Sequence, residues 1–506
     1  MGKNEVIQSA SAALGAKYFQ KEYGHFIDGK WVDGASGEKI AMMNPATGEI
    51  LSHIQSGSPP DVDRAVAAAH RAFPKWSRST AAERQAILIE MARRLRTRLA
   101  DYAMMETLNN GKPISEAMGF DLPMAIEQFE VFAGAAFQLK GETVDTQGSI
   151  ALVHREPLGV CAQIIPWNVP MIMMAWKIAP ALAAGNTVVL KPSEIVCLSV
   201  LEFFREMADL IPPGVVNVVT GYGPKVGEAL VTDPRVKKVA FTGSRPTAQK
   251  LIQYASVNLI PQTLELGGKN SNIICSDANI EAAAESAALS TILNKGEVCV
   301  AGTRLFVHED VADSFTDRLC RNLKMVRGGD PTNPMTRLGP QASSAQFNKV
   351  LGYLELGPKE GARAILGGAR AKVEGFESGF FIEPTVFDNV ANKMRIAQEE
   401  IFGPVATIIR WKDEDDLVRQ ANETTYGLAA GLWTRDLART HRLARALEVG
   451  CLWVNRYFNF MPNVAMGGYK QSGFGVENGF EALKQYTHSK AVCISLDDSP
   501  LGLFPG

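Results

Sequence analysis

The strongest constraint on the fold is an alternation of apolar strands and helices that begins near residue 158. Apolar segments of strand length at 160–165 and 187–190 are separated by a helical segment at 171–184, which Gly185 ends. Strands that are apolar on both faces are typical of a parallel sheet covered by helices on both sides. The same rhythm resumes after Glu265. The sequence therefore predicts an α/β fold with two doubly wound parallel-sheet domains.

Two strand-like segments lie outside this alternation. Residues 141–155 have the pattern of a hairpin around a Gln147-Gly148 turn, and residues 491–496 form another strand-like run. Isolated strands are not stable alone, so we expect these segments to pair with each other and with a neighbouring subunit. We predict a homodimer or homotetramer with three parts: a domain of residues 1–136 and 156–266, a domain of residues 267–470, and a small β oligomerisation arm of residues 137–155 and 482–506.

The composition argues for a cytoplasmic protein without a nucleic-acid or membrane partner. The 506 residues are 46% hydrophobic and 21% charged, and the net charge of −2 offers no electrostatic footprint for nucleic acid or anionic lipid. Residues 1–10 lack the apolar core of a signal peptide. The most apolar run, 171–184, contains Lys177 and Pro180 and is too short to span a bilayer.

The seven cysteines are scattered, and one of them stands in an unusual setting. They form no C-x-x-C pair, which argues against a disulfide framework and against a metal site. Cys299 lies between Gly296 and Gly302, and glycines allow close approach of the backbone to a ligand. Taken alone, Cys299 is either a nucleophile or an ordinary buried thiol, and the buried thiol is the commoner case.

Four loops that follow predicted strands carry polar residues. Ligands in doubly wound sheets bind at the carboxyl ends of the strands, so residues 166–168, 191–194, 242–244 and 264–268 are expected around one crevice. Thr242, Gly243 and Ser244 precede a helix and suit a phosphate group. Residues 221–227 read G-x-G-x-x-x-G, one residue longer than the dinucleotide fingerprint, and a plain turn explains them equally well.

Four residues of these loops have two interpretations each. Lys191 and Glu194 either contact a ribose or are surface charges. Glu265, between two leucines, is either a desolvated general base or a salt-bridged structural acid. The amide of Asn168 either donates to an oxyanion or caps the next helix.

Seven motifs in a fixed order resemble those of the NAD(P)-dependent aldehyde dehydrogenase superfamily, in its non-phosphorylating branch. The resemblance covers residues from about 26 to 490, and the tail at 500–504 resembles that of bacterial acetaldehyde dehydrogenases. The motifs are IPWN at 165–168, LKPSE at 190–194, FTGS at 241–244, LELGG at 264–268, GEVCVAG at 296–302, EEIFGP at 399–404 and GGYKQSG at 467–473.

The resemblance implies a catalytic role for five residues. Cys299 attacks the aldehyde carbon, while Asn168 and the Cys299 backbone N–H hold the oxyanion. Hydride passes to the nicotinamide and leaves a thioester on Cys299. Glu265 then activates the water that releases a carboxylic acid. Lys177 and Glu477 match a pair to which proton relay from Glu265 is ascribed.

The resemblance also implies the cofactor contacts, with a Rossmann-like first domain that binds NAD in preference to NADP. Lys191 and Glu194 would bind the adenine ribose, and Glu400 and Phe402 would position the nicotinamide ribose and ring. The full set of expected contacts is Ile164, Ile165, Pro166, Trp167, Lys191, Ser193, Glu194, Gly223, Gly227, Phe241, Thr242, Gly243, Ser244, Leu266, Gly267, Glu400 and Phe402.

The expected substrate tunnel is apolar, and it differs from that of many relatives. Val169 stands where many relatives have an aromatic residue, and Ala465-Met466 where they have Pro-Phe. No arginine lies in the tunnel, so small aliphatic or aryl-aliphatic aldehydes are expected rather than carboxylate-bearing ones. The tunnel residues are Met124, Val169, Met173, Trp176, Val298, Val300, Phe458, Phe460 and Met466.

Two other functions are compatible with this fold. An acyl-transferring dehydrogenase would pass the thioester to coenzyme A, but that branch lacks a base at the position of Glu265. A non-catalytic scaffold would have no need to retain Cys299, Glu265 and Asn168 together.

Overall fold

The computed structural model describes residues 13–504 and contains four β-sheets. The polar segment 1–10 and residues 505–506 of the predicted arm lie outside the described residues. The strands, in chain order, are β1 Glu22–Tyr23, β2 His25–Ile27, β3 Lys30–Val32, β4 Lys39–Met43, β5 Ile50–Gln55, β6 Glu142–Thr146, β7 Ser149–Pro157, β8 Val160–Ile164, β9 Thr187–Lys191, β10 Val216–Val218, β11 Val236–Thr242, β12 Gln262–Glu265, β13 Ser271–Ile274, β14 Arg304–His308, β15 Arg363–Leu366, β16 Thr385–Asp388, β17 Val405–Trp411, β18 Ala429–Trp433, β19 Cys451–Val454, β20 Gly473–Phe474 and β21 Thr487–Ser495.

Helices cover the faces of the two large sheets. The α-helices are Pro59–Trp76, Ala81–Thr97, Leu99–Asn110, Ile114–Glu116, Leu122–Ala135, Pro170–Ala183, Leu198–Glu206, Glu228–Thr232, Arg245–Ser256, Ile280–Ile292, Ala312–Lys324, Ser344–Lys359, Arg395–Gln398, Glu414–Asn422, Leu437–Ala446 and Gly479–Lys484. Short π-helical turns occur at Ala117–Asp121 and Gly223–Gly227, and 3₁₀ turns at Ala136–Gln138, Leu293–Gly296, Glu309–Val311 and Lys470–Ser472.

The larger sheet has eight strands in the order β20-β12-β11-β8-β9-β10-β2-β3. The five from β12 to β10 are parallel, and every residue of β8 and β9 is buried. This confirms the predicted parallel core. The antiparallel edges come from far away in the chain, since β2 pairs with β10 and β20 with β12. The apolar pattern of residues 198–210 also predicts a helix, but this helix ends earlier, at Glu206.

The strand order locates a crevice in this sheet. β8 lies between β9 and β11, so the chain leaves β8 in one direction, through β9 and β10, and later continues on the other side, through β11 and β12. The connections at the carboxyl ends of β8 and β11 therefore diverge, and such a switch point leaves room for a ligand. The loops that follow Ile164 and Thr242 border this crevice.

The second large sheet has seven strands in the order β15-β16-β17-β14-β13-β18-β19, all parallel except β15. The sequence predicts β13, β14, β17 and β19. It does not predict β16 or β18. β18 reads Ala-Ala-Gly-Leu-Trp and lacks the β-branched residues that would have predicted a strand. Its glycine is required, because a Cβ atom at Gly431 would collide with the Tyr457 ring and the Asn272 side chain.

The predicted arm is a three-stranded antiparallel sheet in the order β21-β7-β6. β6 and β7 form the expected hairpin, and β21 pairs with β7 from Thr487 to Ser495. The predicted pairing of the two segments is therefore confirmed. All side chains of β6 and most of those of β21 are exposed. Within residues 13–504, no helix is long and apolar enough to cross a membrane.

Candidate active site

The segment that carries Cys299 follows a strained turn. After the helix Ile280–Ile292, Asn294 and Lys295 adopt left-handed backbone angles with φ of 45° and 62°, and Gly296 follows with φ of 76°. Glycine is required at position 296 because a Cβ atom would collide with the backbone of Gly403. Left-handed backbone angles at a non-glycine residue cost about 1–3 kcal/mol each, and such residues cluster at functional sites.

Two side chains that the sequence did not single out hold the backbone around Cys299. The Asn270 amide donates to the Cys299 carbonyl oxygen at 2.8 Å and to that of Ala301 at 2.9 Å. The Tyr457 hydroxyl donates to the Val300 carbonyl oxygen at 2.8 Å. Asn270 belongs to no motif, but its place two residues after the LELGG motif could have pointed to it. The nucleophile loop is thus fixed on both sides of the thiol.

A cavity of about 210 Å³ lies between the two large sheets and brings the centre of the predicted site together. It contains the three central catalytic candidates and many of the expected cofactor contacts, and two further polar residues, Gln346 and Lys349. Those two lie on the helix Ser344–Lys359, which was not predicted from the sequence. The lining residues are Pro166, Trp167, Asn168, Val169, Met173, Thr242, Gly243, Ser244, Glu265, Leu266, Gly267, Cys299, Gln346, Lys349, Glu400 and Phe402.

The Cys299 thiol lines this cavity in its neutral form. Burial, reinforced by the carboxyl groups of Glu400 and Glu265, raises the pKa of Cys299 to about 12. Anionic sulfur is the reactive species in thiol chemistry. The Cys299 thiol therefore needs a proton acceptor within the cavity before it can act as a nucleophile.

The Glu265 side chain, which lines the same cavity, is a candidate for that acceptor. It lies at the end of β12, 8% exposed, and its burial, reinforced by the charge of Glu477, raises its pKa well above the usual range. Among the described residues it forms no ion pair, and its Oε1 atom has no hydrogen-bond partner. The geometry therefore matches a desolvated acid, and the salt-bridged alternative is wrong. The neighbouring ion pair is the one between Lys177 and Glu477, which are both buried.

Asn168 does not cap the helix that follows it. The helix Pro170–Ala183 begins after Val169 without a side-chain cap. The Asn168 amide, 6% exposed, instead donates to the Glu297 carbonyl oxygen at 2.9 Å. An amide group has two N–H bonds, so one donor remains available in a side chain that lines the cavity. The capping interpretation is therefore wrong.

Several expected cofactor residues form contacts with one another around the cavity. The rings of Trp167 and Phe402 meet edge to face with centroids 5.5 Å apart. Glu400 accepts a hydrogen bond from the Gly268 N–H at 3.0 Å, and a Cβ atom at Gly267 would collide with its carboxyl group. These residues form a wall of the cavity at the end that faces the second sheet.

The opposite end of the site lies along the switch point of the eight-stranded sheet. Lys191, the last residue of β9, forms an ion pair with Glu194 at 2.7 Å. The Thr242 hydroxyl at the end of β11 is buried and has no partner in the described part of the chain. Gly223 begins the π-helical turn, and a Cβ atom there would meet nothing within 4 Å. The remaining expected contacts lie at strand ends or in the adjacent loops, namely Ile164, Ile165, Ser193, Gly227 and Phe241.

The expected tunnel residues belong to two apolar groups on either side of the cavity. Val169 and Met173 line the cavity and pack in one core with Met124 and Trp176. The other group packs with Cys299 itself, and consists of Val298, Val300, Phe458, Phe460 and Met466.

Phe120 joins these two groups and was not predicted. Its ring meets that of Phe460 edge to face at 5.9 Å, and it packs against the first core. It is carried by the π-helical turn Ala117–Asp121, a distortion that often marks functional sites.

Known proteins resemble this chain over nearly its full length. The profile of the aldehyde dehydrogenase family matches residues 31–492. An aldehyde dehydrogenase from Deinococcus radiodurans is 43% identical, with 96% of this chain and 95% of the relative covered. Acetaldehyde dehydrogenase 2 from Cupriavidus necator is also 43% identical, with 96% and 97% covered.

Solved structures agree with this fold. PnpE in complex with nicotinamide adenine dinucleotide superimposes with a TM-score of 0.94 at 41% identity, with 95% of this chain and 99% of that chain covered. The NAD⁺ complex of an aldehyde dehydrogenase from Bacillus cereus gives 0.93 at 37% identity, with 95% and 98% covered. This chain therefore belongs to the aldehyde dehydrogenase family.

Proposed function

We propose that this protein oxidises an aldehyde to the carboxylic acid with NAD, through a thioester on Cys299. The observation that carries the proposal is a single cavity in which the Cys299 thiol, the buried Glu265 carboxyl group and the Asn168 amide come together. A thiol beside a base and an oxyanion donor is the arrangement that acyl-enzyme chemistry requires.

The residues around the cavity suit NAD. The unpartnered Thr242 hydroxyl and the open surface at Gly223 border the switch point where dinucleotides bind in such sheets. Glu400 and Phe402 would hold the nicotinamide end. NAD, when bound, supplies the acceptor for the hydride that leaves the carbon attached to Cys299. PnpE and the Bacillus cereus enzyme are described as complexes with this cofactor.

Each catalytic side chain then has a defined task. The Cys299 sulfur forms a bond to the aldehyde carbon, and its proton passes to the Glu265 carboxylate. The free N–H of Asn168 donates to the oxygen that gains charge. After oxidation, the Glu265 carboxylate accepts a proton from the water that attacks the thioester, and this proton passes to the Cys299 sulfur as the acid is released. The buried Lys177–Glu477 pair adjoins Glu265, and we assign it the onward transfer of the proton that Glu265 takes from the thiol, which restores the carboxylate before water is activated.

We propose a preference for NAD over NADP. Lys191 and Glu194 form an ion pair at the edge of the crevice, where the Glu194 carboxylate can accept hydrogen bonds from ribose hydroxyls. A 2′-phosphate would bring like charge towards Glu194. The Lys191 ammonium offsets part of that repulsion, so NADP is disfavoured rather than excluded.

The proposed substrates are small aliphatic or aryl-aliphatic aldehydes. The two side-chain groups beside the cavity are apolar, and Phe120 adds an aromatic ring where they meet. The relative from Cupriavidus necator bears the name of an acetaldehyde dehydrogenase. Initial rates with acetaldehyde, hexanal, phenylacetaldehyde and indole-3-acetaldehyde would rank the chain length and ring size that the site accepts.

We further propose a cytoplasmic homodimer or homotetramer built from the three predicted parts. Residues 1–136 and 156–266 would bind NAD, residues 267–470 would carry Cys299, and residues 137–155 and 482–506 would associate with another subunit. The exposed strands of the arm and the edge strand β19 support the last assignment. Light scattering of the full chain, and of a chain ending before β21, tests it.

Cys299→Ala is the direct test of the proposed function. The variant should lose turnover with all four aldehydes and keep its NAD affinity, measured by quenching of tryptophan fluorescence, because only the covalent step needs the sulfur. Adding coenzyme A to the parent enzyme tests for acyl transfer, and the product should remain the free acid. Turnover by the alanine variant would contradict the assignment.

A further inference from the structure

The backbone carbonyl oxygen of Asn168 receives three hydrogen bonds from buried side chains. The donors are Lys112 Nζ at 3.0 Å, Asn294 Nδ2 at 2.9 Å and Asn110 Nδ2 at 3.3 Å. A carbonyl oxygen has two lone pairs, and most accept fewer bonds than this. One of the three donors carries a full charge, and hydrogen bonds from ionised donors are roughly twice as strong as neutral ones. The peptide group of Asn168 is therefore held with unusual strength.

The Lys112 ammonium is itself fixed in place from the other side. Its side chain is fully buried, and it forms ion pairs with Asp121 and, at 3.1 Å, with Glu106. Burial opposes its charge, but the carboxylates of Asp121 and Glu106 outweigh that effect and raise its pKa. Glu106 in turn accepts a hydrogen bond from the Ser199 hydroxyl. Lys112 therefore remains charged and keeps a single orientation.

The same network reaches the strained turn before Cys299. The Asn294 amide, which donates to the Asn168 carbonyl oxygen, also donates to the Glu297 carbonyl oxygen at 3.2 Å. That Glu297 oxygen also accepts from the Asn168 side chain. Both ends of Asn168, its backbone oxygen and its amide nitrogen, are thus tied to the segment that carries the nucleophile.

We propose that Lys112 is a positioning residue for the oxyanion donor Asn168. The inference rests on the proposed function of Asn168 and names a residue that touches neither substrate nor cofactor. Lys112 fixes the Asn168 peptide group, so that the free N–H of the side chain is aimed at the developing charge. A displacement of about 1 Å in such a group can cost about 10²-fold in rate.

The test is a double-mutant cycle with Lys112→Met and Asn168→Ala in the full-length enzyme. Rates are expressed per NAD-competent site, so that a loss of folded protein does not count as a loss of rate. Asn168→Ala should lower kcat by roughly 10²–10³, the usual loss for one oxyanion donor. Lys112→Met should lower kcat by about 10²-fold or less, with the Kd for NAD unchanged. The double variant should be no slower than Asn168→Ala alone, because Lys112 acts through Asn168.

The outcomes separate the two levels of the proposal. If Asn168→Ala leaves kcat unchanged, the proposed role of Asn168 fails. If Asn168→Ala is slow but the double variant is slower still, by the product of the two single losses of kcat, Lys112 is structural and this inference is overturned. The same holds if Lys112→Met leaves kcat per site unchanged. Lys359→Met, at an exposed lysine paired only with Glu355 in the described structure, is the matched control and should change nothing.

A second variant covers the case in which Lys112→Met does not fold. Removing the Lys112 ammonium leaves the buried carboxyl groups of Glu106 and Asp121 without their cation, which lowers the stability of the folded protein. Lys112→Met combined with Asp121→Asn removes one charge of each sign and still deletes the donor to Asn168. This variant should show the same loss of kcat and the same absence of additivity with Asn168→Ala. Normal turnover per site in a folded variant of this kind would overturn the inference.

Discussion

Replacing Glu265 with glutamine should separate the two halves of the reaction. Glutamine has the same shape as the glutamic acid but cannot accept a proton. Glu265 forms no ion pair in the part of the chain that the structure describes, so the substitution breaks no charge pair. Water can take the Cys299 thiol proton in place of Glu265, which slows thiohemiacetal formation, but attack on the thioester by water without a base is slowed more. The variant should therefore accumulate the thioester on Cys299.

The size of the effect follows from the role assigned to the carboxylate. A positioned general base contributes about 10²–10⁴-fold, which corresponds to about 3–5.5 kcal/mol of barrier. Burial raises the pKa of Glu265, so the carboxylate form grows about tenfold per pH unit below that pKa. The acid limb of kcat in the parent should therefore rise with pH, and it should be absent from the glutamine variant.

Stopped-flow absorbance at 340 nm measures both quantities. The variant should give a burst of about one NADH per competent site, followed by slow turnover, and mass spectrometry should find the acyl group on Cys299. Glu355→Gln, at an exposed glutamate, serves as the control. Steady turnover within twofold of the parent, or an unchanged acid limb, would refute the assignment of Glu265 as the base.

The same substitution has a consequence for stability. The folded protein holds the Glu265 proton more tightly than the unfolded chain, whose glutamates have a pKa of about 4.3. Stability contributed by the neutral carboxyl group is present below that pH and is lost as the pH rises through the folded-state pKa. Urea unfolding should therefore show the glutamine variant gaining stability relative to the parent as the pH rises above about 4.3.

Three further substitutions test other parts of the site. Asn168→Ala should lower kcat by roughly 10²–10³ with little change in KM, and an effect confined to KM would exclude it as an oxyanion donor. Glu194→Gln should narrow the ratio of kcat/KM for NAD over that for NADP, because it removes the charge that opposes a 2′-phosphate; an unchanged ratio would mean that Glu194 does not set cofactor choice. Lys177→Met should destabilise the protein by about 3–5 kcal/mol in urea unfolding, since Glu477 is left buried without its partner, and adding Glu477→Gln should recover much of that loss.

The sequence predicted the features of this protein that depend on local patterns. The alternation of apolar strands and helices predicts the parallel core around β8 and β9, and the turn at Gln147-Gly148 predicts the hairpin of the arm. The predicted residues Cys299, Glu265 and Asn168 line one cavity. Glu265 ends β12, Asn168 lies in the loop after β8, and Cys299 lies in the loop before β14. Strand order makes neighbours of such positions without any information about side-chain contacts.

The sequence alone did not distinguish between the alternative roles of single polar residues. Asn168 and Glu265 each allowed two interpretations, and the outcome depended on partners that are distant in the chain. Lys112, which donates to the Asn168 carbonyl oxygen, lies 56 positions before it, and Glu297, which accepts from the Asn168 amide, lies 129 positions after it. Glu265 is a desolvated acid because the cation beside it, Lys177 on the helix Pro170–Ala183, pairs with Glu477 of the C-terminal segment instead.

The same reason explains the residues that the sequence did not identify. Asn270, Tyr457 and Phe120 carry no motif of their own, and each acquires its role from one contact across the fold: with the Cys299 carbonyl oxygen, with the Val300 carbonyl oxygen and with the Phe460 ring. Local patterns determine which segments become strands and helices, because they act over a few residues. The hydrogen-bond partners and the burial of a single side chain depend on which distant segments pack around it. Only the tertiary structure determines these two properties.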